Sequence, residues 1–93
     1  SATEVKVTSY TINTNVTSKN GVYTFTANVP NAKGLTYKFI VYNKTTKKWG
    51  LVQNFSSKNV CTWKAGSAGD REFYIDVKDA NGTVTRSSAI NIK

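Results

Sequence analysis

The side chains able to do acid–base or nucleophilic chemistry are few in this chain. There are five carboxylates, Glu4, Asp70, Glu72, Asp76 and Asp79, one thiol, Cys61, and no histidine. Glycoside hydrolysis would need two carboxylates facing one cleft. Glu72 and Asp76 share a strand parity, but on the side predicted to face outward around Tyr74, where they read as a solvated face with cross-strand partners such as Lys38. Asp79, in KDANG, reads as a turn former whose carboxylate caps local backbone amides. Asp70, Asp79 and loop carbonyls offer oxygen ligands for calcium, but their spacing fits no calcium-loop motif. Without histidine, the serines lack an activating base and zinc lacks ligands, and Cys61 in NVCTWK reads as a small buried hydrophobe. The sequence predicts a non-enzyme with no catalytic residues, no metal site and no cofactor.

Binding chemistry is better supplied. In YKFIVYNKTTKKWG, residues 37–50, aromatics stand on both parities of a strand-like run, with a tryptophan beyond a lysine-rich turn. Alternation sends Ile40, Tyr42 and Tyr74 away from the predicted core, and Trp49 lies just across the turn from Tyr42. Tyr42, Trp49 and Tyr74 are thus the candidate ligand-binding rings, edged by Lys38, Lys47, Lys48 and Asp76, with Lys38 and Lys48 the candidate cations. Ring faces cover the apolar face of a sugar while charges and hydroxyls bond to its edge. Two other readings use the same residues. In one, Trp49 folds over the open end of the core and nothing binds; in the other, the shelf meets the next module of a tandem array. The lysines of the turn also suit a guarded strand edge.

Thirteen Lys and Arg against five Asp and Glu give a formal charge of +8, which attracts anionic polymers at low salt. Only Arg71 and Arg86 are arginines, a poor supply of the forked donors that read nucleic acids, so no specific nucleic-acid binding is expected. No apolar run approaches the length of a membrane span, and membrane insertion is not expected.

The elements that must position these residues are strands. Heavy use of Thr, Val and Tyr favours β structure, and no segment demands a helix. Strands are predicted at Val5–Thr14, across VYTFTANV (residues 22–29), Leu35–Tyr42, Trp49–Phe55, Asn59–Lys64, Arg71–Asp79 and Thr83–Ile92. Asn20-Gly21, Pro30, the residues NKTTKK, AGSAGD and Asn81-Gly82 break them. The predicted core rows are Tyr23, Phe25, Ala27 and Val29; Leu35, Tyr37, Phe39 and Val41; Cys61 and Trp63; Arg71, Phe73, Ile75 and Val77; and Val84, Ile90 and Ile92. Trp49, Leu51 and Phe55 are expected to need cover. About seven short strands at roughly ten-residue spacing match an immunoglobulin-like or fibronectin type III-like antiparallel β-sandwich, a single domain over residues 1–93.

From Leu35 to Asp79 the sequence resembles the triple-tyrosine-motif domains of bacterial, clostridial-type cell-surface and cell-wall-associated proteins. The matching positions are Tyr37, Trp49, Trp63, Gly69 and Val77-Lys78-Asp79, while Arg71 stands where the family usually has a tyrosine. The resemblance implies an extracellular, cell-surface or cell-wall setting and a non-catalytic module acting as spacer, scaffold or adhesion unit. Its expected partners are neighbouring domains of a longer parent, and a cell-wall or host glycan if the aromatic shelf binds.

Overall fold

A computed structural model describes residues 9–66 and 69–93. Where alternation is strongest, the strands form as predicted. β2 (Val22–Asn28), β3 (Thr36–Asn43) and β6 (Arg71–Lys78) each turn one parity inward. Phe25, Ala27, Phe39, Phe73, Ile75 and Val77 are all buried, with Leu35 just ahead of β3. β4 (Lys48–Ser56) and β5 (Val60–Lys64) also fall where expected, and Cys61 is buried. Among the described residues there is no helix.

The strands form two antiparallel sheets. One has the order β1-β2-β5, with β1 at Asn13–Lys19; the other has the order β4-β3-β6, followed by β7 (Val84–Arg86) and β8 (Ile90–Ile92), both paired with β6. The two sheets share one apolar core in a sandwich-like arrangement. Phe25 of the first stacks on Phe73 of the second with ring centroids 4.2 Å apart, and Trp63 of β5 meets Phe73 edge-on at 4.7 Å. Tyr23, Val29, Tyr37, Val41 and Trp63 pack around the fully buried residues. Arg71, at the start of β6, also lies inward, with its guanidinium over the Trp63 ring.

Four expectations are corrected. Of the strand predicted at Val5–Thr14, residues 5–8 lie outside the described residues and 9–12 form no strand; β1 begins at Asn13 and runs through the polar stretch NTNVTSK, which the sequence marks as the run into a turn. Every residue of β1 is exposed, so the strand carries no burial pattern. Its backbone ladder to β2 and the Asn20-Gly21 turn hold it, both turn residues having positive φ as a two-residue hairpin requires. The last predicted strand is in fact two. The register of β7 on β6 (Asp76 opposite Arg86) and of β8 on β6 (Phe73 opposite Ile90) differ by one residue, so a bulge at 87–89 exchanges the faces. Ile90 and Ile92 point inward, but Val84 is exposed.

Trp49 and Leu51 are not covered. They are 54% and 61% exposed, because they pair with Tyr42 and Ile40, whose side chains face outward. The inward position opposite Val41 is Gly50, where an added Cβ would lie 3.3 Å from a Val41 methyl. Asp76, read as part of a solvated face, is only 3% exposed.

Candidate functional site

The outer face of the β4-β3-β6-β7/β8 sheet gathers Tyr42, Trp49, Phe55 and Tyr74, the rings that the core leaves out, with three cations, Lys38, Lys78 and Arg86, among them. Full antiparallel pairing of β3 with β6 sets Tyr42 opposite Glu72, Ile40 opposite Tyr74 and Lys38 opposite Asp76. The β3–β4 hairpin then sets Trp49 beside Tyr42. Its turn is shaped by Asn43, whose Oδ1 accepts hydrogen bonds from the backbone N–H groups of Thr45 and Thr46 at 2.9 and 3.1 Å. The tight geometry ends with Lys47 in the left-handed region, φ 60°. This turn delivers Trp49 onto the sheet.

Trp49 sits between two tyrosines, its ring centroid 4.9 Å from Tyr42 and 5.5 Å from Tyr74. Interplanar angles of 51° and 43° make a faceted rather than flat shelf. Arg86 completes it, its guanidinium carbon 5.5 Å from both the Trp49 and Tyr74 ring centroids. The guanidinium is held in place by Asp76: Nε donates to Oδ1 at 2.8 Å and Nη2 to Oδ2 at 3.1 Å. Those hydrogen bonds raise the guanidinium pKa above its already high ordinary value, so Arg86 stays charged at all working pH. The second oxygen of Asp76 also lies 3.7 Å from Lys38 Nζ. A buried carboxylate therefore ties a half-exposed arginine to a lysine across three strands.

Beyond that strip lies a second ring. Phe55 of β4 has Lys38 Nζ at 4.9 Å and Lys78 Nζ at 4.1 Å from its centroid. The β3–β4 ladder shifts register twice, between Tyr37 and Phe39 and between Phe39 and Ile40, and because the two shifts cancel, Phe55 keeps the outward side of Trp49 and Leu51.

Of the five sequence-predicted site residues, Tyr42, Trp49 and Tyr74 come together and Lys38 joins them through Asp76. Lys48 is exposed at the start of β4 but opposite Asn43, so strand alternation turns it to the other side of the sheet from Trp49. The sequence reading missed Arg86, Lys78 and Phe55. One signal for Arg86 was present: the parity that carried Val84, Ile90 and Ile92 also carried Arg86, and a cation on a core row points to a change of register.

The remaining reactive groups are occupied or inert. Burial pushes the Cys61 thiol upward in pKa, keeping it protonated at neutral pH. Asp79 serves its turn, with Oδ1 accepting from the N–H groups of Asn81 and Thr83, each at 2.9 Å, and Oδ2 accepting from the Tyr10 hydroxyl at 2.6 Å.

No protein-family model matches the chain, and no curated protein matches it.

Proposed function

We propose that the chain is a non-catalytic, immunoglobulin-like or fibronectin type III-like module of a larger exported bacterial surface or cell-wall-associated protein, where it acts as an adhesion or scaffold unit. Strand order supports the type. With β1, β2 and β5 as strands A, B and E, and β3, β6 and β7/β8 as C, F and G, both sheet orders of an immunoglobulin constant-type sandwich recur. Among the described residues no D strand stands beside β5, and β4 is added outside C. The surface setting rests on the resemblance to triple-tyrosine-motif domains. Three of the seven positions that carry the resemblance, Tyr37, Trp63 and Val77, contribute to the core.

Trp49 does not, and it carries the second reading. Although it is 54% exposed, it is held between Tyr42 and Tyr74 beside a clamped arginine, where the core gains nothing from it. Such an arrangement favours contact with a carbohydrate or cell-wall polymer over a purely mechanical role, since rigid exposed rings cost little entropy to bury on binding. The test is a heteronuclear NMR titration of the chain with purified cell-wall polysaccharide. Shifts centred on the Trp49 indole and on Tyr74, abolished by Trp49→Ala in a folded variant, are the expected result. An unmoved Trp49 leaves the scaffold role alone.

A further inference from the structure

Resting on that carbohydrate reading, we propose that the outer face is specific for anionic sugar polymers, with an aromatic half that seats a sugar ring and a cationic half that takes its carboxylate or phosphodiester group. The two halves adjoin at Arg86. Tyr42, Trp49 and Tyr74 occupy one end of the sheet face, next to Glu72; Lys38 and Lys78 flank Phe55 toward the other, and Arg86, clamped by Asp76, stands between them against Trp49 and Tyr74.

Charge at the second end is positive and is directed outward. Asp76 is its only acid among the described residues, and at 3% exposure it neutralises from beneath without meeting solvent or ligand. It engages Arg86 through Nε and Nη2, which leaves the Nη1 donors outside the pair. Lys78 forms no ion pair among the described residues, and its ammonium is positioned over Phe55. A ligand oxygen arriving here meets ammonium and guanidinium donors that are already placed, and each carries a charge the single acid cannot fully offset. Neutral glycans would need hydroxyl acceptors and donors in comparable number. Besides the tyrosine hydroxyls, the acceptor beside the rings is Glu72, opposite Tyr42, and the other polar groups near them are cationic donors. Long-range attraction works in the same direction, since the chain carries +8 overall.

A carboxylated sugar and a phosphodiester-linked sugar share this chemistry, and separate probes tell them apart. The full 93-residue chain is titrated calorimetrically with oligogalacturonate, with its methyl ester, and with a phosphodiester-linked hexose oligomer. The acid or the phosphodiester oligomer should bind roughly tenfold tighter than the ester at low ionic strength, with the gap shrinking toward about 0.5 M salt as charges are screened. Whichever anion binds more tightly names the source. Lys78→Gln, which removes the charge and leaves a polar side chain, should weaken binding of the anionic oligomers by about three- to tenfold and leave the ester unchanged. Trp49→Ala should weaken all three.

Equal affinity for acid, phosphodiester and ester overturns the anionic specificity while leaving carbohydrate binding intact. Failure of all three to bind overturns both. Binding that is indifferent to Trp49→Ala and vanishes with salt also overturns the proposal, because charge alone would then explain it.

Discussion

Tyr10 is an anchor at the point where the chain enters the sandwich. Its hydroxyl donates to Asp79 at 2.6 Å and its backbone N–H donates to Thr85 Oγ1 at 3.1 Å, joining the N-terminal approach to the β6–β7 turn. The hydrogen bond to Asp79, then desolvation, then the nearby negative charge raise the phenol above its ordinary pKa of 10.0. The protonated form is thus the one the fold prefers. Its contribution is fully present below the ordinary tyrosine range and is lost as pH climbs through the raised folded value, where a phenolate would face the carboxylate. Thermal unfolding of the native chain and of Tyr10→Phe should differ at neutral pH, with the native chain more stable, and the difference should close above about pH 10. A gap that is constant from pH 7 to 11 would mean that the hydroxyl's proton is not what holds the segment. Residue-scale legibility follows the same distinction between local and distant partners. Asp79 could be recognised as a turn former because the amides it accepts from are two and four residues away. Asp76 could not be recognised as buried, because its cover, Arg86, arrives only through the register of the next strand.

Elements were legible where a strand has one wet and one dry face. β2, β3 and β6 show clean alternation because each lies within a sheet between two neighbours and turns one face to the core. β1 has no dry face at all. Even Val16, which stands opposite the inward Phe25, is 37% exposed, so nothing in its composition distinguishes it from a loop. The bulge between β7 and β8 was hidden for another reason: period-two reading assumes unbroken register, and one inserted residue reverses every assignment after it. That same bulge accounts for both the exposed Val84 and the outward Arg86, so the cationic half of the candidate site was as obscure in the sequence as the bulge itself. Ser87 holds the bulge. Its Oγ accepts from the Ile75 N–H at 2.9 Å, and its own N–H donates to the Ile75 carbonyl at 2.9 Å. Ile75 is completely buried, so Ser87→Ala would strand an amide that water cannot reach, at a cost of about 1–3 kcal/mol. Urea unfolding should show a lower midpoint with an unchanged slope. An unaltered midpoint would mean that another acceptor takes the Ile75 amide.

At the scale of the molecule, the two sheets have no independent interiors. Phe25 and Cys61 come from one, Phe39, Phe73, Ile75, Val77, Ile90 and Ile92 from the other, and the closest ring contact in the core, Phe25 on Phe73, crosses between them. A three-stranded sheet with an entirely exposed edge strand cannot keep its apolar face out of water alone, so separation would expose both halves of the core at once. The two tryptophans make this measurable, because Trp49 belongs to β4 of the larger sheet and Trp63 to β5 of the smaller. In Trp63→Phe the remaining indole reports the five-stranded sheet; in Trp49→Phe it reports the three-stranded one. Within each variant, denaturation followed by fluorescence should coincide with denaturation followed by far-ultraviolet circular dichroism, the mark of a single cooperative transition. Adding Phe25→Ala to either background should lower stability by about 3–5 kcal/mol, since it removes the ring that makes the closer of the two ring contacts between the sheets. If the Trp63 signal were lost at a lower denaturant concentration than the Trp49 signal and the overall dichroism, the smaller sheet would be a separable layer. The proposed binding face would then keep its shape without it, because Trp49, Tyr42, Tyr74 and Arg86 all stand on the sheet that remains.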